Sequence, residues 1–331
     1  MEKEKIKDFV KQLTLEEKAG LTSGADGWFT KAVERLHIPA VRTSDGPVGL
    51  RKVVNIAPDQ LGGESEKAVC FPTSCTTASS FDRELLKELG ETLGRESQAQ
   101  GVDVLLGPGV NMKRSPLCGR NFEYISEDPY LAGELAAQYV KGVQSQGVGT
   151  SLKHFYANNQ ETRRMDVSVE MDERTMREIY LPAFEKVVKE AKPWTIMASY
   201  NKEDGVHSTA NKDLLTGILR EEWGYEGSVV SDWGATHDRA KAVEAGCDLT
   251  MPAEDTDQKI VEAVQGGMLS EDALDFCCER LLELVFRCAE SRKQGVEFDY
   301  EGDHEKAARM AAESMVLLKN EDGILPLSKE K

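Results

Sequence analysis

The stretch FDRELLKELGETLGRESQAQGVDVLLGPG, residues 81–109, holds the pattern that sets the fold. Asp82 stands where a helix N-cap belongs, because its short carboxylate can accept from backbone N–H groups that the first helical turn leaves unpaired. Leucines 85, 86, 89 and 93 then recur at helical spacing and form one apolar stripe. Directly after it comes VDVLLGPG, apolar on successive residues and too short for a helix, which reads as a strand buried on both faces.

The same unit repeats outward from this point. A helix near 129–146 precedes GTSLKHF (149–155), one near 173–191 precedes TIMASYN (195–201), one near 212–223 precedes GSVVSDW (227–233), and one near 236–245 precedes CDLTMP (247–252). Buried strands separated by helices predict a parallel sheet covered by helices, and so many repeats predict an α/β fold of the TIM-type (β/α)8 barrel class. Six or seven strands can be counted, so an incomplete or distorted barrel is within the expectation. Residues 1–300 are assigned to the barrel; VNIAPDQLGGESEKAV (53–69) reads as a surface insertion.

Composition narrows the function classes. With 41 basic and 58 acidic residues the net charge is -17, and no basic stripe interrupts it, which excludes a phosphate-backbone partner. The charged N-terminus MEKEKIKDFVKQL lacks the apolar core of a signal peptide, and no stretch nears the roughly 20 apolar residues that span a bilayer, so a cytoplasmic location without membrane association is expected. Seven cysteines without CxxC spacing and five scattered histidines predict free thiols and no metal centre. Motifs for dinucleotides, P-loops, zincins and the serine nucleophile elbow are absent, so no cofactor is expected.

In parallel β/α folds the C-terminal ends of the strands carry the active site. Reading those exits gives Asp45 in TSDGP, then Arg114, Arg120 and Glu123 in GPGVNMKRSPLCGRNFE, Lys153 and His154 in KHF, Tyr200 in MASYN, and Asp232 in SDWG. Each alone has an ordinary structural explanation: an Asp before Gly is a turn residue, an Arg an ion pair, a Tyr a packing residue. Together they have the composition of a sugar pocket, in which charged groups hold vicinal hydroxyls and an indole packs on the ring face. A carboxylate among them can attack an anomeric carbon.

Six blocks now carry a resemblance: LTLEEKAGLTSG (13–24), TSDGPVGLR (43–51), CGRNFEYISEDPYLAG (118–133), KHFYANNQETRR (153–164), MASYNKEDGVHSTAN (197–211) and GSVVSDWGA (227–235). In this order they resemble the signatures of glycoside hydrolase family 3, most closely its β-glucosidases. The resemblance implies a retaining exo-β-glucosidase with Asp232 as nucleophile. It places Asp45, Arg120, Lys153, His154, Arg164 and Tyr200 around the non-reducing sugar, with Trp233 on the adjacent wall. Asp rather than Glu in TSDGP favours glucosides over xylosides, and QETRR places Arg163 where the family commonly has Asn, with the sugar-facing role carried onto Arg164.

A retaining glycosidase needs a second carboxyl group as acid/base, about 5–5.5 Å from the first. In the β-glucosidases that this chain resembles it comes from a following α/β sandwich domain, and residues 301–331 read as a connector toward such a domain, which is the expected partner. Single-domain β-N-acetylglucosaminidases of the same family use a histidine in the loop after the Lys-His block; FYANNQETRRMDVSVEMDER (155–174) has none. Glu161 and Asp166 are candidate substitutes, Glu161 reading better as a residue that orders the arginines. A non-catalytic sugar-binding barrel is the third alternative.

Overall fold

A computed structural model describes residues 3–54 and 63–330; residues 55–62 of the insertion read at 53–69 lie outside the described residues. The chain opens with helices α1 (Lys3–Gln12) and α2 (Leu15–Leu21), the latter closed by a capping box between Thr14 and Glu17. Strand β1 (Thr43–Ser44) and helices α3 (Ser74–Ala78) and α4 (Arg83–Ala99) follow, then β2 (Val104–Leu105), α5 (Pro129–Ser145), β3 (Gly149–Phe155) and β4 (Ser168–Val169). Helix α6 (Glu173–Thr175), a π-wound turn Met176–Tyr180 and α7 (Pro182–Ala191) lead to β5 (Thr195–Ala198). After β6 (Lys202–Glu203), β7 (Val206–His207) and the π-wound segment Asp213–Glu222 come β8 (Ser228–Ser231), α8 (Arg239–Ala245), α9 (Asp257–Gln265), α10 (Glu271–Ser291) and α11 (Tyr300–Glu313).

Asp82 caps α4 as its position predicts, accepting from the N–H groups of Glu84 and Leu85, and the four leucines of the stripe are buried. Gly90 of α4 and Gly142 of α5 lie at the closest approach of these helices: a Cβ at Gly142 would collide with the Lys87 carbonyl oxygen. Only glycine lets the two backbones come so near.

Strands β1, β2, β3, β5 and β8 pair in parallel in that order. Single bridges carry the sheet onward, from Val230 to Leu249, from Thr250 to Ser23, and from Gly24 to Thr30, and then from Phe29 to Arg42 beside β1. The ring closes as a distorted barrel. Its Gly24–Thr30 and Phe29–Arg42 contacts are antiparallel. For Gly24–Thr30 the reason is chain length, since a parallel return needs a crossover of a dozen or more residues and this turn has too few. Alternation sorts the strand residues: Leu105, Leu152, Ile196 and Val229 pack outward under the helices, while Leu106, Met197, Val230 and Leu249 form a separate cluster with Trp28 and Met251.

The helix expected over 173–191 is interrupted at Leu181–Pro182, because proline has no N–H to donate and starts a new helix at Pro182. A small sheet of β4, β6 and β7 stands beside the exits of β3 and β5. Helix α11 docks through buried Asp303, Ala307 and Met310, with Arg309 bonded to Glu88 of α4; beyond it Met315, Val316, Leu317 and Leu318 are exposed.

Candidate active site

Strand exits on one face of the barrel bring the candidate residues together. Asp45 follows β1 directly, Lys153 and His154 lie near the C-terminal end of β3, Tyr200 comes two residues after β5, and Asp232 is the first residue after β8. Arg120 and Glu123 come from the long connection between β2 and α5.

Lys153 is buried between two carboxylates, its Nζ 3.4 Å from Asp45 Oδ1 and 3.5 Å from Glu123 Oε2. Burial opposes its charge, but Asp45 and Glu123 outweigh it and hold the ammonium above its ordinary 10.5. In return, although burial pushes the other way, Lys153 and the Gly46 N–H hold the Asp45 carboxyl below its ordinary 3.8. The opposite face of Glu123 is taken by Arg120 Nε. Arg120 also donates from Nη2 to His154 Nε2 at 2.8 Å. Burial first, then the charges of Arg120 and Lys153, push His154 well below 6.5, so the imidazole is neutral.

Asp232 is 7 % exposed at the base of this group. Its Oδ1 accepts the Trp233 N–H at 2.8 Å, whereas its Oδ2 is buried and has no hydrogen-bond donor among the described residues. His154 Nε2 is 3.5 Å from that oxygen, but its lone pair already accepts from Arg120. Burial raises the Asp232 carboxyl above 3.8, and Arg120, the Trp233 N–H and Lys153 offset only part of this. The Tyr200 hydroxyl beside the carboxylate donates to the Trp233 carbonyl at 2.9 Å. Trp233 is pinned by its Nε1 to the Gly27 carbonyl at 2.7 Å, with its ring 5.8 Å from that of Trp28.

Arg164 lies with its guanidinium 4.5 Å from the centre of the Tyr200 ring and donates to Glu161 Oε2 at 2.8 Å. Arg163 sits at φ 54° with its side chain exposed, so of the two arginines Arg164 is the one on the pocket side. Asp166 is exposed. Arg114, read from the same strand exit as Arg120, is turned away onto the Tyr180 hydroxyl. Glu123, read from the same strand exit, is the hub between Arg120 and Lys153. Two residues of the site were not singled out from the sequence: Asn111 bonds both backbone groups of His154, at 2.8 and 2.9 Å, and the Tyr124 hydroxyl is 3.1 Å from His154 Nδ1. Among the described residues no cluster could hold a metal ion, and no helix is long and apolar enough to cross a membrane.

A buried carboxylate oxygen with no donor, facing fixed ammonium and guanidinium groups, is equipped to attack an electrophilic carbon whose hydroxyl neighbours those cations hold. The model of the glycosyl hydrolase family 3 N terminal domain matches residues 17–284. Thermostable beta-glucosidase B of Acetivibrio thermocellus is 56 % identical over 326 residues, which are 98 % of this chain and 43 % of that protein. An exo-alpha-(1->6)-L-arabinopyranosidase of Bifidobacterium longum is 50 % identical over 96 % of this chain and 42 % of its own length. Among solved structures, a GH3 beta-glucosidase of Bifidobacterium adolescentis superposes with a TM-score of 0.90 at 51 % identity, covering 96 % of this chain and 46 % of that one. Beta-glucosidase 3B of Thermotoga neapolitana with alpha-D-glucose gives 0.91 at 42 % identity, covering 98 % and 48 %. The chain thus spans less than half the length of these relatives. The family resemblance read from six sequence blocks is borne out: this chain belongs to glycosyl hydrolase family 3, and its matched region is that family's N-terminal domain.

Proposed function

We propose that this chain is the nucleophile-bearing, glucose-binding part of a retaining exo-acting β-glucosidase, with Asp232 attacking the anomeric carbon of a terminal β-D-glucosyl residue. The observation that carries the reading is the buried, donor-free Oδ2 of Asp232 beside Lys153, Arg120 and His154. Attack forms a bond from Oδ2 to the anomeric carbon as the bond to the aglycone oxygen breaks; water later displaces the ester and returns the carboxylate. Asp45, Lys153, Arg120, Arg164 and Tyr200 hold the sugar hydroxyls, His154, both of whose ring nitrogens are engaged, orients Arg120 beside them, and Trp233 packs on the sugar face.

The departing oxygen needs a proton, and the other carboxylates of the pocket are each engaged by a cation: Asp45 and Glu123 by Lys153 and Arg120, Glu161 by Arg164. The acid/base therefore comes from a further domain, in keeping with relatives more than twice as long. Cleavage of a glucoside whose leaving group needs no proton, such as 2,4-dinitrophenyl β-D-glucoside, alongside inert cellobiose supports the reading. Equal turnover of both by this chain refutes the missing acid. A second glycone is favoured by the 50 % identical arabinopyranosidase; faster turnover of 4-nitrophenyl α-L-arabinopyranoside than of the β-D-glucoside would select it. Seven unpaired cysteines support a reducing, cytoplasmic setting.

A further inference from the structure

A directional chain of hydrogen bonds runs behind the pocket. A guanidinium can only donate, so the 2.8 Å contact from Arg120 Nη2 requires a lone pair on His154 Nε2. A neutral imidazole with that lone pair carries its proton on Nδ1. Two acceptors face Nδ1: Tyr124 Oη at 3.1 Å and Asn111 Oδ1 at 3.3 Å. Asn111 cannot turn its amide to present N–H instead, because Oδ1 takes the His154 backbone N–H while Nδ2 donates to the His154 carbonyl. With its oxygen accepting from Nδ1, Tyr124 sends its own proton to the Asn158 carbonyl at 3.4 Å. Asn158 Nδ2 in turn donates to Glu161 Oε1 at 3.4 Å, and Glu161 Oε2 receives Arg164 at 2.8 Å. Asn158 Nδ2 also reaches Tyr124 Oη at 3.5 Å, a second donor onto that oxygen, so the Tyr124 proton is left for the Asn158 carbonyl.

We infer that Asn111 and Tyr124 are positioning residues that lock His154 as the Nδ1–H tautomer, so that no proton lies between His154 and Asp232 and the nucleophilic oxygen stays free. The opposite tautomer would point Nε2–H at Asp232 Oδ2 across the 3.5 Å gap, hydrogen-bond the attacking lone pair and confront the Arg120 N–H with a second donor. This rests on the proposed role of Asp232, yet the tautomer itself is a property of the resting protein and can be read without any reaction.

The test is proton–nitrogen correlation NMR of the full chain with nitrogen-labelled histidine, the His154 signals being those lost in His154→Gln. A pyridine-type Nε2 and a pyrrole-type Nδ1 are expected; a pyrrole-type Nε2 overturns the inference. Tyr124→Phe keeps the ring and deletes one acceptor. It should move the His154 nitrogen signals toward tautomer averaging and slow covalent labelling of Asp232 by a 2-fluoro-glucosyl inactivator about two- to tenfold, the loss of one neutral hydrogen bond. Unchanged nitrogen signals and an unchanged labelling rate in that variant overturn the positioning role. Absence of labelling in the parent chain, with the expected tautomer present, would instead fault the nucleophile assignment and leave the tautomer standing.

Discussion

Replacing Lys153 by Met keeps the volume and removes the ammonium that two carboxylates share. At 3.4 and 3.5 Å the gross attraction to Asp45 and to Glu123 is about 5 kcal/mol each at an effective dielectric near 20, so distance alone does not separate the two pairs. Exposure does. The Asp45 side chain is 40 % exposed and water screens it, leaving a coupling of ~1 kcal/mol, whereas the Glu123 side chain is 6 % exposed and its coupling is ~3 kcal/mol. Lys153→Met should therefore cost ~3–5 kcal/mol of unfolding free energy, with a coupling to Glu123→Gln of ~3 kcal/mol and to Asp45→Asn of ~1 kcal/mol in the two double-mutant cycles. Urea unfolding followed by tryptophan fluorescence, run as two double-mutant cycles, reads both couplings. Equal couplings, or a larger one to Asp45, would refute the claim that burial rather than distance ranks these contacts.

Three further outcomes are expected. Glu96, buried on α4 with Asp303 of α11 nearby, has its carboxyl pushed up to about 7; the folded state keeps the proton that the unfolded chain releases near 4.5, so stability falls by about 3 kcal/mol as pH rises from about 4.5 to about 7. Thermal unfolding of Glu96→Gln should show that slope flattened. Gly142→Ala, whose Cβ meets the Lys87 carbonyl, should cost ~1–3 kcal/mol in the same denaturation assay. Arg164→Ala should weaken glucose binding, followed by indole fluorescence, about tenfold, while Arg163→Ala leaves it within about twofold.

The helices and strands were legible where one physical signal decided them. The 85, 86, 89 and 93 stripe with its Asp82 cap admits only a helix, and a short run of small and β-branched residues such as SVVS suits a buried strand. The closing segment around Gly24, Phe29 and Thr30 was not legible, because single bridges between short turns leave no periodicity to read. Pro182 was visible in the sequence as a breaker within 173–191, and its local effect overrode the apolar pattern around it. In the site, residues at strand tips could be read because a strand's end fixes where its side chains go. Asn111 and Tyr124 sit in a long connection whose path depends on tertiary contacts, so nothing in their spacing shows that they converge on His154.

Placing Asp232 at the end of β8 with a donor-free oxygen makes one experiment decisive. The chain is treated with 2,4-dinitrophenyl 2-deoxy-2-fluoro-β-D-glucoside, whose leaving group needs no proton, and the product is analysed by intact mass and peptide mapping. One fluoroglucosyl adduct on Asp232 is expected. Its rate should fall with acidification through a value above 3.8, because burial raises this carboxyl and its protonated form cannot attack. An unmodified chain, or an adduct on Glu161 or Asp166 in place of Asp232, would contradict the account.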